Sequence, residues 1–562
     1  MNDTSDKYAN FSHDELVAEI NRLKKHKKYG LVWEHKTEKV IEDFETQQPY
    51  LEEVTDKRIE DAPGEPTNLI IEGDNFEALS ILNYTHAGKV DVIYIDPPYN
   101  TGNKDFIYND DYVDSEDEFR HSKWLSFMEP RLKLAKNLLK DDGVIFISID
   151  DNEYAALKNI CCSIFNEENV ETLIWNKIGT GSSSEKMKQV KRARRDHEYI
   201  ICCYLNSANV SFNKVKVLRN YKQKLVNKDN DSRGEYKLGS IARSEALSNS
   251  KSKNYYTVIS PTGIKWTRQF LVSNDEFKRL DKDGRIFWGK NGDKTPAVKV
   301  FASEKAELYL SSIMLDYGSA TLENKRLCDI FARSKTPFDN PKPVVLIKTI
   351  IGLLKKEAVV LDFFAGSGTT GQAVLELNKE DGGHRQFILC TNNGDKGPDS
   401  TKIAEEITYP RIKTVITGAR QDGSKYSDGI PANLRYYKIN HREKKPSIDA
   451  NRQDIVAYME NIIQVKENAY KQLEINEDFA IYESNEKYVG LVFEPFLLEE
   501  VITDLKERNA EKRPAKLYVF SYSRDAFEDD YGADFEIEFV AMPEGLLKTY
   551  AHIVEEQKKE DL

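Results

Sequence analysis

The sequence predicts an α/β fold in which buried parallel strands end in polar turns. Two apolar runs, at 91–95 and 359–361, are short and bounded by turn residues, which is typical of strands covered on both faces. The first run is followed by Asp96 and the second by Asp362. Because open α/β sheets bind their ligands at the carboxyl ends of strands, both turns are candidate sites.

The first turn, Asp96-Pro97-Pro98-Tyr99, combines an anion, free carbonyls and an aromatic ring. Proline fixes φ and lacks an N–H, so the chain leaves the sheet as a stiff turn. The Asp96 carboxylate and the Pro97 carbonyl suit the exocyclic amine of a nucleobase, because two acceptors make its lone pair available, and Tyr99 can stack on the base. Taken alone, these four residues fit an ordinary strand end with an incidental acid equally well.

The second turn is rich in glycine and leads into a helical pattern at 370–377. Gly366, Gly368 and Gly371 have the G-x-G-x-x-G spacing that lets a cofactor approach the backbone closely, next to the free N–H groups of a helix start. The spacing by itself does not distinguish NAD from S-adenosylmethionine.

The run 96–99 and the run 362–370 (Asp-Phe-Phe-Ala-Gly-Ser-Gly-Thr-Thr) resemble the catalytic motif and the S-adenosylmethionine loop of the amino-methyltransferases of DNA. The catalytic motif comes first, which is similar to the β-class order. Five further stretches resemble the modification (Mod) subunits of type III restriction-modification systems, and they are 68–79, 100–102, 122–125, 340–343 and 407–412. The resemblance covers most of residues 15–425.

This resemblance implies a Rossmann-like S-adenosylmethionine-dependent methyltransferase sheet in circularly permuted order, with an inserted target-recognition domain and a small C-terminal α/β domain. The predicted parts are an N-terminal helical arm at 1–62, the catalytic half of the methyltransferase domain at 63–205, the target-recognition domain at 206–330, the cofactor-binding half at 331–428, and a dimerisation or partner-docking domain at 429–562.

The resemblance also implies which residues form the site. The catalytic residues are expected to be Asp96, Pro97, Pro98 and Tyr99. The expected cofactor-binding residues are Asp74, Asn340, Lys342, Asp362, Phe363, Phe364, Ala365, Gly366, Ser367, Gly368, Thr369 and Asn392. No metal is expected.

Several of these cofactor contacts have alternatives. The resemblance implies that Asp74 contacts the adenine of the cofactor, but an acid there can also cap the helix that follows. Asn340 and Lys342 are expected at the methionine end of the cofactor, although their neighbouring prolines also suit a helix entry. The strand at 387–390 lacks the Glu that often follows it and binds the ribose, so Asn392, its neighbour Asn393 or Asp395 is left for that contact.

A formal net charge of −13 at first argues against a nucleic-acid ligand. DNA binding, however, needs a local basic face, and residues 179–228 supply a cluster of cations. The expected DNA-binding residues are Lys186, Lys188, Lys191, Arg192, Arg194, Arg195, Lys222 and Lys224. Such a cluster can also be merely a solvated face.

Composition excludes several other classes. The six cysteines form no Cys-x-x-Cys pair, and no stretch resembles a membrane span or a signal region, so a soluble protein of the reducing cytoplasm is expected. The stretch 284–290 matches most of a P-loop, but Asn291 stands where a Ser or Thr should bind Mg²⁺. The helicase-nuclease activity of a restriction system is therefore expected on a separate partner chain.

The expected function is methyl transfer from S-adenosylmethionine to N6 of a flipped adenine in double-stranded DNA, by a chain that forms a homodimer. The first alternative is N4-cytosine or RNA methylation, because Asp in the first position of the motif correlates imperfectly with adenine. A second alternative is a recognition subunit whose main role is to recruit the helicase-nuclease partner. A Rossmann oxidoreductase ranks far lower, since the run 96–99 has no role in hydride transfer.

Overall fold

The computed structural model describes residues 12, 38–102, 106–108, 111–178, 193–218, 225–301, 305–394, 401–445, 447–521 and 535–560. The chain divides into two compact units, which we call the main unit (1–212 with 311–562) and the inserted unit (213–310). Among the helices of the described residues, none is long and apolar enough to cross a membrane.

The strands in chain order are β1 (Gln47–Glu53), β2 (Ile59–Glu60), β3 (Thr67–Glu72), β4 (Val90–Ile95), β5 (Ile107–Tyr108), β6 (Asp111–Tyr112), β7 (Leu139–Ile149), β8 (Val170–Asn176), β9 (His197–Tyr204), β10 (Val215–Leu218), β11 (Tyr236–Ser240), β12 (Tyr255–Ile259), β13 (Lys265–Gln269), β14 (Ile286–Phe287), β15 (Ala297–Phe301), β16 (Lys305–Leu308), β17 (Ile313–Met314), β18 (Val359–Asp362), β19 (Gln386–Thr391), β20 (Asn433–Glu443), β21 (Lys471–Ile475), β22 (Phe479–Glu483), β23 (Tyr488–Val492), β24 (Ala515–Phe520) and β25 (Ile537–Met542).

The α-helices are α1 (Lys39–Asp43), α2 (Asn75–Thr85), α3 (Arg120–Leu138), α4 (Tyr154–Phe165), α5 (Asn274–Lys282), α6 (Ala320–Ile330), α7 (Val344–Ile351), α8 (Thr369–Asp381), α9 (Tyr409–Thr417), α10 (Ile448–Val456), α11 (Met459–Glu467), α12 (Leu498–Arg508) and α13 (Glu544–Glu560). A π-helical turn at Ile403–Thr408 leads directly into α9.

The main unit is built on an eleven-stranded sheet in the order β1-β20-β3-β19-β18-β4-β7-β9-β8-β17, with β2 paired to β20. The segment from β20 to β7 is parallel, and β4 is buried along its whole length, as its continuous apolar sequence predicts. The expected α/β sheet is therefore confirmed, with strand β4 beside strand β18.

Two features of this sheet bring the ends of distant segments together. Strands β4 and β18 pair in parallel with Ile93 opposite Leu361, so Asp96 and Asp362 lie at the same edge of the sheet. Strand β9 runs antiparallel to β7, and its first residues therefore reach that same edge. The carboxyl edge thus collects residues from β4, β18 and β9.

The sequence prediction is wrong about the end of the main sheet that contains β1 and β20. The arm at 1–62 was expected to be helical, but Gln47–Glu53 forms β1, which pairs antiparallel with β20. The part of the arm before residue 38 lies almost wholly outside the described residues. Strand β20, placed beyond the methyltransferase domain by the boundary at 429, pairs with β3 inside its sheet. The pairing partners of such strands cannot be read from local sequence.

The C-terminal part of the main unit adds a second sheet in the order β21-β22-β23-β24-β25. These strands, together with helix α12, agree with the small C-terminal α/β domain that was expected. Apolar side chains from this sheet, including Tyr518 and Met542, share one core with Phe76 and Leu79 of α2. The described parts of residues 471–560 are therefore packed against α2 and belong to the same unit.

The inserted unit contains small antiparallel sheets (β10 with β16, β11-β15-β14, and β12 with β13) and helix α5. Its core includes Val258, Phe270, Phe277 and Trp288. The unit lies within the range 206–330 predicted for the target-recognition domain but ends earlier, because residues 311–330, including α6, belong to the main unit.

Candidate active site

The turn after β4 is held by hydrogen bonds on both sides. The indole Nε1 of Trp124 on α3 donates to the Pro98 carbonyl at 2.8 Å. The Tyr99 hydroxyl lies 2.9 Å from Asp96 Oδ1 and 3.2 Å from Glu198 Oε2. The two prolines and these contacts fix the Asp96 carboxylate and the Tyr99 ring relative to each other.

The Asp96 carboxylate is paired with Lys342, which the sequence analysis placed at the methionine end of a cofactor. The Lys342 Nζ lies 2.8 Å from both carboxylate oxygens of Asp96 and 4.8 Å from the centre of the Tyr99 ring. The Lys342 side chain is 10% exposed. In the structure this lysine therefore neutralises the candidate catalytic acid.

Glu198, at the start of β9, completes the cluster and was missed by sequence reasoning. Its Oε2 lies 3.5 Å from Lys342 Nζ, and its Oε1 accepts a hydrogen bond from Lys177 Nζ at 3.2 Å. The sequence feature that could have identified Glu198 is an acidic residue at the start of a strand whose later residues are mostly apolar. Its place at the site depends on the antiparallel direction of β9, which the sequence does not reveal.

Burial and charge oppose each other in this cluster. Burial raises the pKa of the Asp96 carboxyl above its usual value, against the attraction of Lys342. Burial alone would lower the pKa of the Lys342 ammonium, but Asp96 and Glu198 outweigh it and the pKa is raised. Burial also opposes ionisation of Glu198, but Lys342 and Lys177 outweigh burial and lower the pKa of this carboxyl. The pKa of the Tyr99 hydroxyl lies well above its usual value because of burial. Glu198 is thus the carboxylate that stays ionised most firmly.

Asn100, the residue after the motif, anchors the turn from the protein interior. It has a φ of 55° and is fully buried, and its Nδ2 donates to Glu153 Oε1 at 2.6 Å and to the Arg120 carbonyl at 3.1 Å. Glu153 Oε1 also contacts His121 Nδ1 at 2.7 Å. Burial raises the pKa of the Glu153 carboxyl.

The glycine-rich loop after β18 has a backbone that requires glycine. Gly366 has a φ of 46°, and a Cβ there would lie 3.0 Å from Phe338 Cζ. Gly368 has a φ of 77°, and a Cβ there would lie 3.2 Å from Thr408 Cγ2. Gly368 is also the N-cap residue of α8. Because it has no side chain, it offers no hydrogen-bond acceptor to the first N–H groups of that helix.

Arg411 on α9 supports this loop from behind and was not singled out from the sequence. Its fully buried guanidinium donates to Ser367 Oγ at 3.0 Å and to Thr369 Oγ1 at 2.9 Å. It also forms a buried ion pair with Glu323 at 2.6 Å and bonds to Gln372 at 2.8 Å. The stretch 407–412 had been noted as a motif, but its role in shaping the loop emerges from the packing of α9.

Asp362 ends β18 at the base of the loop. Its Oδ1 accepts a hydrogen bond from the Phe364 N–H at 3.0 Å, and its Oδ2 accepts one from the Thr370 hydroxyl at 2.5 Å. Burial raises the pKa of this carboxyl to about 7. Asp362 therefore ties the beginning of the loop to the first turn of α8.

Residues 90–393, more than half of the chain, match the family model described as DNA methylase (N6_N4_Mtase). The chain belongs to this family. The match begins at β4 and ends just beyond β19, so it spans both the Asp96 turn and the glycine-rich loop.

Several relatives of this DNA methylase are modification enzymes. The Mod subunit of the type III restriction-modification enzyme StyLTI from Salmonella typhimurium is 34% identical over 371 residues, which are 62% of this chain and 55% of that subunit. The EcoP15I Mod subunit from Escherichia coli is 32% identical over 381 residues, 57% and 58% of the two chains. The type II methyltransferase M.KpnI from Klebsiella pneumoniae is 31% identical over 388 residues, 65% and 89%. The chain spans less than two thirds of these two Mod subunits.

Solved structures of DNA methylases also match over most of their own length. The Thermus thermophilus protein TTHA0409, described as a candidate DNA modification methylase, is 13% identical and covers 66% of this chain and 99% of its own, with a TM-score of 0.30. The cytosine-N4-specific PvuII DNA methyltransferase is 11% identical and covers 59% and 85%, with a TM-score of 0.31. At such low TM-scores, neither likeness adds to the family assignment.

The aromatic residues of the loop in this DNA methylase pack against α2 and α3. Asn75 Nδ2 donates to the Phe363 carbonyl at 3.2 Å, and the Phe364 ring lies 5.9 Å from that of Phe127. Asp74 accepts from the Phe76 N–H at 2.7 Å, which confirms the alternative interpretation that it caps α2. Its second oxygen lies 3.5 Å from buried Arg131. Asp74 lies just beyond the carboxyl end of β3.

The two asparagines after β19 differ in what they contact. Asn392 is exposed, and its Oδ1 accepts from the Gly394 N–H at 3.1 Å. Asn393 donates to Glu72 Oε1 at 2.6 Å and accepts from the Glu405 N–H at 3.1 Å. Asn392 is therefore the more available of the two, whereas Asp395 lies outside the described residues. Asn340, with a φ of 51°, is exposed next to the prolines.

Most of the predicted DNA-binding residues fall outside the part of the chain that the structure describes, namely Lys186, Lys188, Lys191, Arg192, Lys222 and Lys224. The two that are described are paired with acids. Arg194 Nε lies 2.5 Å from Asp196, and Arg195 Nε lies 3.2 Å from Asp151. Their charges are thus partly compensated within the protein.

Proposed function

We propose that this protein is a site-specific DNA methyltransferase that transfers a methyl group from S-adenosylmethionine to N6 of adenine in double-stranded DNA. The observation that carries the proposal is the adjacency of β4 and β18, which puts the Asp96 turn beside the glycine-rich loop at one edge of the sheet. Membership of the DNA methylase family supports it. A carboxylate next to a cofactor loop is an arrangement suited to methylation of an amine.

The loop residues fit S-adenosylmethionine. Gly366 and Gly368 adopt left-handed φ values and leave the backbone open to close approach, and α8 begins directly after them. Residues 362–369 would hold the cofactor, together with Asp74 near β3 and Asn392 after β19. When bound, S-adenosylmethionine supplies a methyl group on a positively charged sulfur, which accepts the lone pair of an amine without metal or redox chemistry.

The residues of the turn act on the amine. Asp96 and the Pro97 carbonyl accept hydrogen bonds from the exocyclic NH₂ group, which draws its lone pair out of the aromatic ring. Tyr99 stacks on the base and holds the nitrogen in line. S-adenosylmethionine held by residues 362–369 would supply the methyl group for the new N–C bond, and the electrons of the broken S–C bond would remain on sulfur. The amine then loses one proton to water, because it becomes acidic only after methylation.

The target base must leave the helix to reach this turn. An amine inside a stacked duplex cannot approach Asp96, so we infer that the base is flipped into the pocket beside Tyr99. We propose adenine rather than cytosine as the target base, because the motif begins with Asp rather than Ser. N4-cytosine methylation is the alternative outcome of the test below.

We also infer that the protein acts in the cytoplasm as the modification and recognition subunit of a type III system. The Mod subunits among its relatives support this role, which requires a separate helicase-nuclease partner and a homodimer. The inserted unit is then the target-recognition domain. The basic residues from 186 to 224, most of which precede that unit in the chain, contact phosphates. The part of the chain beyond β20 serves in dimerisation or partner docking.

The deciding experiment is to incubate the purified chain with S-adenosylmethionine and unmethylated genomic DNA and to read modified bases by sequencing. N6-methyladenine on one strand of one short, non-palindromic sequence is expected, and Asp96→Ala protein serves as the control. N4-methylcytosine would replace the adenine assignment by the alternative. Cofactor binding with no modification would shift the weight to a recognition role.

A further inference from the structure

The Lys342 ammonium occupies the acceptor that the proposed reaction needs. Its Nζ lies 2.8 Å from both oxygens of Asp96, and the Tyr99 hydroxyl takes a further position on Oδ1. The inference that follows rests on the proposed function, in which a target amine donates to Asp96. That amine and the lysine compete for the same two oxygens.

A cation at this position also works against methyl transfer itself. The nitrogen under attack gains positive charge as the new bond forms, and a neighbouring ammonium in a mostly buried site repels that charge. Lys342 must therefore leave Asp96 before transfer. Moving a buried ammonium into an apolar environment is unfavourable, so it needs another acceptor nearby.

Glu198 is that acceptor. Its Oε2 is 3.5 Å from Lys342 Nζ, so a small rotation of the lysine converts this contact into a direct ion pair. The Glu198 side chain is 13% exposed. Its second oxygen is held by Lys177, which is 36% exposed and can release it to the solvent side.

We propose that Glu198 is a positioning residue that takes the Lys342 ammonium from Asp96 when the target amine binds. The Tyr99 hydroxyl, which lies 2.9 Å from Asp96 and 3.2 Å from Glu198, stays with Glu198 and keeps the stacking ring in place. Within the described part of the chain, Asp150, Tyr94 on β4 and Asp362 on β18 also interact electrostatically with this cluster. Among the described residues, the cations in direct contact with Glu198 are Lys342 and Lys177.

The test measures single-turnover methylation by full-length Glu198→Gln protein between pH 6.5 and 9, with S-adenosylmethionine binding measured by calorimetry. Without the Glu198 charge, Asp96 is released mainly when Lys342 loses its proton. We expect the rate to fall 10- to 100-fold at pH 7.5 and to rise about tenfold per pH unit, while the native rate stays nearly flat. Cofactor affinity should change less than threefold.

Three further variants separate this role from a merely structural one. In a Lys342→Met background, Glu198→Gln should change the rate less than twofold, because there is no ammonium to transfer. Glu198→Asp keeps the charge and should restore a flat pH profile, which keeps the proposal testable if Glu198→Gln fails to fold. Glu171→Gln, which removes a similar carboxylate contact to Tyr204 on the neighbouring strand, is the matched control and should leave the rate unchanged.

The outcomes are distinguishable from those of the proposed function. Transfer by native protein combined with a flat pH profile in Glu198→Gln, or an equal loss of rate in the Lys342→Met background, overturns the role of Glu198 and leaves methylation standing. If native protein methylates no DNA, the proposed function fails and this inference fails with it.

Discussion

The Arg411 guanidinium lies 3.0 Å from Ser367 Oγ and therefore joins helix α9 to the glycine-rich loop. The same side chain is fully buried and paired with Glu323 on α6 at 2.6 Å. One arginine thus connects three segments that are far apart in sequence, and the conformation of the loop depends on it.

Replacing Arg411 by Met should destabilise the protein and weaken cofactor binding together. The change leaves the Glu323 carboxylate buried without its cation, which typically costs about 3–5 kcal/mol of unfolding free energy. Denaturant unfolding and calorimetric titration with S-adenosylmethionine measure the two effects. Lys413→Met, an exposed charge on the same helix, should change the unfolding free energy by less than about 0.5 kcal/mol. An Arg411→Met protein of native stability and affinity would contradict this assignment.

Replacing Asp96 by Ala should abolish most methyl transfer while leaving cofactor binding intact. The carboxylate accepts from the target amine, and removing one such group typically lowers kcat by about 10²–10³. Single-turnover methylation and equilibrium binding of S-adenosylmethionine separate the two quantities. Transfer at the native rate by this variant would show that Asp96 does not polarise the amine.

The strands of the catalytic sheet were predictable because each is a short, continuous apolar run bounded by turns. Strands β4, β18 and β19 all lie within one or two residues of their expected positions. Strand order and direction were not available from these patterns, since they depend on pairing between segments far apart in the chain. The positions of β1 and β20 in the sheet are examples.

The candidate site divides in the same way. Asp96 and the glycines at 366 and 368 were recognisable from the sequence. Two prolines follow Asp96, and both proline and glycine indicate unusual backbone geometry. Glu198 was not recognisable, because an acidic residue at the start of an apolar strand does not indicate which residues it contacts in the folded protein. Lys342 was noted for a different partner, and the structure pairs it with Asp96.

Stability should fall with rising pH through Asp362. Burial raises the pKa of this carboxyl from 3.8 to about 7, so between these values the native state holds a proton that the unfolded chain has lost. The contribution of Asp362 to stability is therefore greatest below about pH 4 and declines by about 1.4 kcal/mol per unit up to pH 7, or about 4 kcal/mol in all. The substitution Asp362→Asn removes this dependence, because a side-chain amide does not titrate.

Denaturant unfolding at pH 5 and pH 8 tests this. Relative to Asp362→Asn, native protein should lose about 3 kcal/mol between the two pH values. Asp381→Asn on α8 is the control. Burial opposes ionisation of Asp381, but its hydrogen bonds to Arg385 outweigh burial and lower its pKa, so its contribution should be constant above pH 5. An equal pH dependence in native and Asp362→Asn proteins would mean that Asp362 titrates normally.

If cations of the basic cluster contact DNA phosphates, replacing them should reduce the salt dependence of DNA binding. Each lysine that neutralises a phosphate contributes about 0.9 to the slope of log affinity against log salt concentration. Lys186→Gln combined with Lys188→Gln should therefore reduce the magnitude of that slope by about 1.8 and weaken binding to all sequences alike. Arg194→Gln should change it much less, because Arg194 is already paired with Asp196 at 2.5 Å. Fluorescence anisotropy with a labelled duplex at several salt concentrations measures the slopes, and an unchanged slope in the double variant would assign the cluster to a solvated face.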